Sequence, residues 1–306
     1  MVIGFIGLGD VGSRFSGGIA RDGGADVLGY DLKLGQSGFQ EKQERCVQCG
    51  VKLAESKQAL VDGSDILIAA TSCAEAIETA KDYLPWLRPG QYYVDVNSAV
   101  PKIKKEIQAL VEAKGAHFVD GGIMDSPMNG WHRIPVALSG GQAGYVADVL
   151  NGYGMNMRNV GAEVGQASSL KILRSIFTKG LEALLLETFA SAYHYGVLDE
   201  VYGSIREMLE REPFAPMFER MVTTDVIHAY RRAREVGAVA DMLDDEGFDS
   251  TMSRAACNKL MWSAASGVRE HFGETIPEDY RDVVRYFAYM ADQSFKTGPG
   301  GERLFY

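Results

Sequence analysis

Short apolar runs alternate with helical periods along the first half of this chain, and then the alternation stops. Residues 2–6, 25–30, 65–70, 92–96, 116–119 and 135–138 each read as strands, several of them apolar throughout, as strands buried on both faces are. Residues 11–20 and the segments between later strands carry apolar positions at helical spacing. That order of elements predicts an α/β fold, a doubly wound parallel sheet of the Rossmann type. After Gly161 the strand signals vanish, and long helical periods cover residues 166–195, 201–209, 216–243, 251–270 and 278–295. The chain therefore divides into a sheet domain, residues 1–161, and an all-α domain, residues 162–306. No internal repeat is visible, and only Gly298, Pro299, Gly300 and Gly301 have the composition of a flexible segment.

The turn after the first strand carries specific chemistry. GFIGLGDVG places Gly7, Leu8, Gly9, Asp10, Val11 and Gly12 between strand and helix, and Asp31 follows at the end of the second strand. Gly7 permits the tight turn, Gly9 lets backbone approach a pyrophosphate, and Gly12 lets the helix sit close to the sheet. A diphosphate there lies at a helix N-terminus, where unpaired N–H groups and the helix dipole favour negative charge. Asp31 is placed to accept hydrogen bonds from ribose hydroxyls and to repel a 2′-phosphate, which selects NAD; the nearby Lys33 leaves NADP open. Asp10 reads as a helix-start carboxylate. Because right-handed crossovers put the loop after each strand on one edge, Thr71, Ser72, Asn97, Ser98, Gly121 and Gly122 are expected to face the same crevice. Thr71, Ser72 and Asn97 join the glycine turn and Asp31 as cofactor contacts.

Composition narrows the class. The 306 residues are 46% hydrophobic, enough for real cores, and the net charge of −10 comes without any basic stripe. Neither a nucleic-acid backbone nor an anionic membrane is an attractive partner for such a surface. No apolar span reaches about eighteen residues and the N-terminal strand lacks a basic start, so a cytoplasmic protein is expected. Cys46 and Cys49 form a Cys-x-x-Cys pair, but no second pair exists to complete a structural zinc site. Reduced thiols and no metal are the expectation. His132, His228 and Trp131 are alternative chemical candidates whose ordinary roles are packing or surface.

Residues 167–189 are apolar over most of the helix circumference, which implies burial on several sides. The polar residues Lys171, Ser175, Thr178, Lys179 and Glu182 form one stripe at about 100° per residue. As the first element after the sheet domain, this helix is expected to line a cleft between domains, where small-molecule sites concentrate. Desolvation there, with Lys179 as a neighbouring like charge, would lower the basicity of Lys171 toward the range useful for proton transfer.

GFIGLGDVG, VDVNSAVP, FVDGG, ALSGG and GQASSLK together resemble the β-hydroxyacid dehydrogenases, the family that includes 6-phosphogluconate and 3-hydroxyisobutyrate dehydrogenases. The resemblance implies that Lys171 is the general acid/base, that Asn97 and Ser98 form the polar pair touching nicotinamide and substrate, and that Arg234, in Arg-Glu-Val-Gly, reaches the active site from the helical domain. It also exposes departures. Met124 stands where a serine usually binds the substrate carboxylate, Ser175 replaces an asparagine one turn after Lys171, and Arg234 with Glu235 replaces a Lys-Asp pair. The wording of residues 168–187 is most similar to a little-characterised branch of 6-phosphogluconate dehydrogenase-like proteins with a distinct C-terminal domain.

The expected activity is hydride transfer between a nicotinamide cofactor and a small anionic hydroxyacid, with Lys171 moving the hydroxyl proton. Gly121, Gly122 and Met124 would shape the pocket through backbone N–H groups, with Arg174, Lys179 or Arg234 as the anion partner. Imine reduction, oxidative β-decarboxylation and catalytically silent dinucleotide binding are the alternatives on the same scaffold. The helical half carries more apolar surface than a small bundle buries, and family members pair through this region, so a homodimer is expected.

Overall fold

The structure, a computed structural model, describes residues 1–296, with side chains as far as 291; the glycine-rich stretch at 298–301 lies outside the described residues. In chain order the first elements are β1 (Val2–Ile6), α1 (Asp10–Gly23), β2 (Asp26–Tyr30), α2 (Gln40–Gln48), β3 (Lys52–Leu53), α3 (Lys57–Asp62), β4 (Ile66–Ala69) and α4 (Ala76–Tyr83). Then come β5 (Tyr92–Asp95), α5 (Pro101–Glu112), β6 (His117–Ile123), α6 (Pro127–Gly130), β7 (Pro135–Ser139), α7 (Ala143–Gly152) and β8 (Asn156–Gly161). The helical elements are α8 (Gln166–His194), α9 (Leu198–Glu210), α10 (Phe214–Asp245), α11 (Thr251–Ala265), α12 (Val268–His271) and α13 (Tyr280–Lys296). Among the described residues no helix is long and apolar enough to cross a membrane.

The eight strands form one sheet in the order β3-β2-β1-β4-β5-β6-β7-β8. Alternate side chains enter opposite cores, as the two-residue period of a strand requires. Ile3, Phe5, Ile66, Ile68, Val94 and Val119 meet Phe15 and Ile19 of α1, Cys46 of α2 and Leu150 of α7. Leu67, Ala69, Tyr93 and Phe118 meet Leu60 of α3, Ala80 of α4 and Ile107 of α5. Burial on both faces explains why these strands read as continuous apolar runs.

The expected parallel pairing holds everywhere but at β6 and β7, which run antiparallel with Gly122 opposite Ala137. A parallel crossover needs a dozen or more residues, and the link at 124–134 holds only α6 and one 3-10 turn, Trp131–Arg133. Two strands lie beyond those expected. β3 is two residues long, and β8 is an edge strand of mixed polarity in which Met157 is buried between exposed neighbours.

Two compact units divide the chain at Phe177 and Thr178, inside α8. In the second unit, Val226, Val268 and Val283 form a small core with Phe272 and Tyr286 beside it. Glu187 of α8 caps α11, accepting from the Met252 and Ser253 N–H groups at 2.6 and 2.9 Å, so a carboxylate sits at the positive end of that helix. The helical period expected over 251–270 breaks into α11 and α12 at Gly267, whose φ of +79° suits glycine. Among the described residues of the single chain the expected burial of α8 on several sides is not found: Leu173 is 62% exposed, Ile176 70% and Leu186 68%.

The 3-10 turn packs on the glycine face of α1. A Cβ on Gly18 would lie 2.1 Å from His132 Nδ1, so this helix needs glycine where the imidazole sits. His132 is 1% exposed and neither ring nitrogen has a hydrogen-bond partner, which makes it a packing residue. Burial holds its pKa below the usual histidine value, with Asp22 opposing and Arg133 and Arg21 reinforcing the shift. The unfolded chain takes up the proton first, at about pH 6.5, so stability falls as pH drops through that value. Between pH 7.5 and 5.5 the urea midpoint should decline, this group contributing at most about 1.4 kcal/mol per pH unit. His132→Leu should flatten that decline, and equal slopes in the two proteins would refute the assignment.

Candidate active site

The three glycines of the first turn do separate jobs. Gly7 has a φ of +89°, donates its N–H to Tyr30 O at 2.9 Å, and would press a Cβ to 2.7 Å from the Ala70 carbonyl. Gly12 lies against that same turn, where a Cβ would come within 1.9 Å of the Gly7 carbonyl oxygen. Gly9 faces open space, with no atom within 4 Å of where its Cβ would be. Close approach of a ligand to backbone is thus possible at one glycine, and the other two exist to shape the turn. Asp31 joins the turn to β2: Oδ2 accepts from Leu8 N–H at 2.7 Å and Oδ1 from Lys33 N–H at 2.9 Å.

A cavity of about 840 Å³ opens over this turn, lined by Gly7, Gly9, Asp10, Val11, Asp31, Thr71 and Ser72 among others. Leu8 and Gly12 are buried beneath it, and Asn97 lies off its lining. The cavity is of ligand size, begins at the N-terminus of the fourteen-residue α1, and has its open backbone at Gly9. These features fit a dinucleotide. Lys42 of α2 also lines the cavity, a residue with no sequence signal; its ammonium, 3.2 Å from Asp10, holds that carboxyl below the usual range, with Arg14 adding to the effect.

A second group of predicted residues meets at the start of α8. Asp120 Oδ2 accepts from Gly165 N–H at 3.1 Å and from both the N–H and the hydroxyl of Ser168 at 3.0 Å. Ser139 Oγ accepts from Ala167 N–H at 3.0 Å. The first turn of α8 is thereby fixed to β6 and β7, and Lys171 leaves it within 2.5 Å of Ser98 Oγ. Gly122 is tight against the same turn, since a Cβ there would be 2.8 Å from Ala167 O, 3.1 Å from the Met124 methyl and 3.3 Å from Lys171 Cβ. Arg174 donates to the Met124 carbonyl, and Ser175 Oγ donates to Lys171 O at 3.1 Å. Asn97 is buried with both polar atoms of its side-chain amide lacking a partner, a buried donor and acceptor that a bound molecule can satisfy.

Lys171 is half-buried, and burial is the main cause of its lowered pKa; the charge of Lys104 adds to the effect and Cys73 opposes it. The expected like charge was Lys179, but the one that acts comes from α5. Lys104 Nζ is wholly buried, 2.9 Å from Asp95 Oδ1 and 3.2 Å from Asp120 Oδ1. Sequence reasoning missed all three of these groups. The signal was present: Lys104 falls in helical register with the buried Ile107 and Val111, whereas Lys102 and Lys105 point elsewhere.

Two expectations about the pocket backbone are corrected. Gly121 and Gly122 belong to β6 instead of a loop, and the Met124 N–H is engaged by Pro135 O at 2.9 Å, so it does not donate to a substrate. Lys179 and Arg234 fall in the second unit, both exposed, on α8 and α10 respectively. His228 is a partly buried residue of α10. Trp131 stacks under Arg21 at 4.9 Å, and Cys46 belongs to the sheet core. Among the described residues no group of three or more His, Cys, Asp or Glu could hold a metal ion.

Comparison with known proteins gives the family. Residues 2–155 match the NAD binding domain of 6-phosphogluconate dehydrogenase, and residues 192–262 match a domain of unknown function, DUF1932. An uncharacterized 28.5 kDa protein in the 7S RNA 5′ region of Methanothermus fervidus is 31% identical over 263 residues, 86% of this chain and 98% of that one. A conserved protein of unknown function, whose structure is described as similar to 3-hydroxyacid dehydrogenases, is 30% identical with a TM-score of 0.58, covering 86% of this chain and 98% of that one. Rat mitochondrial 3-hydroxyisobutyrate dehydrogenase is 26% identical over 64% of this chain and 57% of its own length. With an NAD(P)-binding sheet matched over half the chain and a relative matched over nearly all of its own length, this chain belongs to the 6-phosphogluconate dehydrogenase-like family, in the branch whose helical half carries DUF1932.

Proposed function

We propose that this protein is an NAD-dependent oxidoreductase that moves a hydride to or from the hydroxyl-bearing carbon of a small anionic hydroxyacid, with Lys171 as general acid and base. One observation carries the reading: the half-buried Lys171 amine lies 2.5 Å from Ser98 Oγ, on a helix start clamped to the sheet beside Gly122. The bound nicotinamide supplies the hydride donor or acceptor. Lys171 takes the hydroxyl proton during oxidation and returns it during reduction, its charge stabilising the developing alkoxide. Its lowered pKa brings the neutral amine closer to physiological pH, where a base must be unprotonated to work. Ser98 holds the amine in place, and the unpartnered Asn97 amide offers donors and an acceptor to what binds beside it. Arg174, adjacent to Met124, is the cation best placed in the first unit to meet the substrate's anionic group.

Asp31 supports a preference for NAD. Its carboxylate lines the cavity and is held there by two backbone amides, so its charge opposes a 2′-phosphate, although Lys33 and Lys42 on the same cavity moderate that effect. A homodimer through the helical unit is supported by the apolar side chains that α8 leaves exposed, Leu184 and Leu186 among them. A monomeric mass by sedimentation at micromolar concentration would remove that part of the proposal.

An absorbance screen of 3-hydroxyacids, sulfonates and sugar acids with both nicotinamides should find a substrate oxidised at the expense of NAD. With it, Lys171→Ala should lose about 10²-fold or more in turnover while NADH affinity, followed by its fluorescence, stays nearly constant. Near-normal turnover would sink the lysine mechanism. Carbon dioxide release would redirect the reading to β-decarboxylation, and turnover only with amine plus carbonyl to imine reduction. For the cofactor, Asp31→Asn should shift the ratio of NAD to NADP dissociation constants about tenfold toward NADP, roughly 1.4 kcal/mol. An unchanged ratio would show that this carboxylate does not select.

A further inference from the structure

We propose that Lys104 is a positioning residue for the proton-transfer site, tying the Asn97 and Ser98 loop to the first turn of α8 and placing a second positive charge near the Lys171 amine. The inference rests on the proton-transfer reading of Lys171. Asp95 and Asp120 are register partners on neighbouring parallel strands, so two buried carboxylates face one another across the sheet. Lys104 reaches in from α5 and bridges them, 2.9 Å from Asp95 Oδ1, 3.2 Å from Asp120 Oδ1 and 2.7 Å from the Asp95 carbonyl. Each carboxylate has a second task. Asp95 Oδ1 accepts the Asn97 N–H at 2.8 Å, and Asp120 Oδ2 holds the Gly165 and Ser168 N–H groups at the start of α8. Ser98 and Lys171 are therefore carried on two pieces of backbone that meet through one ammonium. A wholly buried ion triad is a poor device for stability, because apolar side chains of similar volume often serve as well; what it supplies here is register and charge.

The charge reaches Lys171. Lys104 from α5, Cys73 from the 3-10 turn after β4 and Ser98 from the loop after β5 act on that amine; Arg174, one turn on in its own helix, donates to the Met124 carbonyl, and Asp95 and Asp120 are engaged by Lys104. Of these, Lys104 disfavours the protonated amine and Cys73 favours it.

The test needs no substrate. Full-length protein is reductively methylated with ¹³C-formaldehyde, and the Lys171 resonance, identified by its loss in Lys171→Arg, is titrated by NMR. Lys104→Met alone strands two buried carboxylates, so it is combined with Asp95→Asn, which leaves the net charge of the triad unchanged; NADH fluorescence verifies the fold. In this double variant Lys171 should titrate about half a pH unit or more above wild type. Asp95→Asn alone keeps the ammonium with one carboxylate fewer, and should move the titration the opposite way. Movements of opposite sign support the proposal. An unmoved Lys171 in a variant that binds NADH, or the same direction in both, overturns it. The first reading fails separately, through near-normal turnover of Lys171→Ala.

Discussion

A buried carboxylate, Asp120, holds the start of α8 to the sheet. Four donors from three residues converge on it or on its neighbour Ser139: Gly165 N–H, Ser168 N–H, the Ser168 hydroxyl and Ala167 N–H. The first N–H groups of a helix have no partner of their own and carry its positive end, so an anion from the sheet satisfies them and fixes where the helix begins. Lys171 follows within the next turn and inherits that precision.

The glycine turn obeys a different constraint, steric and not electrostatic. Gly12 lies so close to the Gly7 carbonyl that a side chain there would separate α1 from β1, and Gly7 is pressed in turn against Ala70 and Thr71, whereas Gly9 touches nothing. One turn thus serves both the fold and the ligand, and Asp31 locks it through Leu8. The antiparallel β6 and β7 pair belongs to the same economy of connection. A short link could not cross the sheet, so the chain turned back, and Gly121 and Gly122 became strand residues pressed against Val96 and α8.

Much of the fold is legible in the sequence, because local rules carry it. The apolar runs at β1, β4 and β5 stand out since both faces are buried, and the glycine spacing with Asp31 reflects a turn whose geometry few other residues tolerate. Lys171 was visible as the polar stripe on an otherwise apolar helix. β3 and β8 were not, being a two-residue strand and a half-polar edge. The break at Gly267 was hidden inside a helical period that continues through it.

Spacing and residue type within about thirty residues by themselves determined the six apolar strands, the nucleotide turn and the position of the candidate lysine, because strand period, helix period and glycine geometry are local properties of the backbone. Only the tertiary structure decided which charge faces that lysine. Lys104, Asp95 and Asp120 come from α5, β5 and β6, and nothing in a linear reading separates a buried Lys104 from the solvated Lys102 and Lys105 beside it except a faint helical register. Charge interactions act across the distance between atoms, and that distance is set by the packing of elements far apart in the chain.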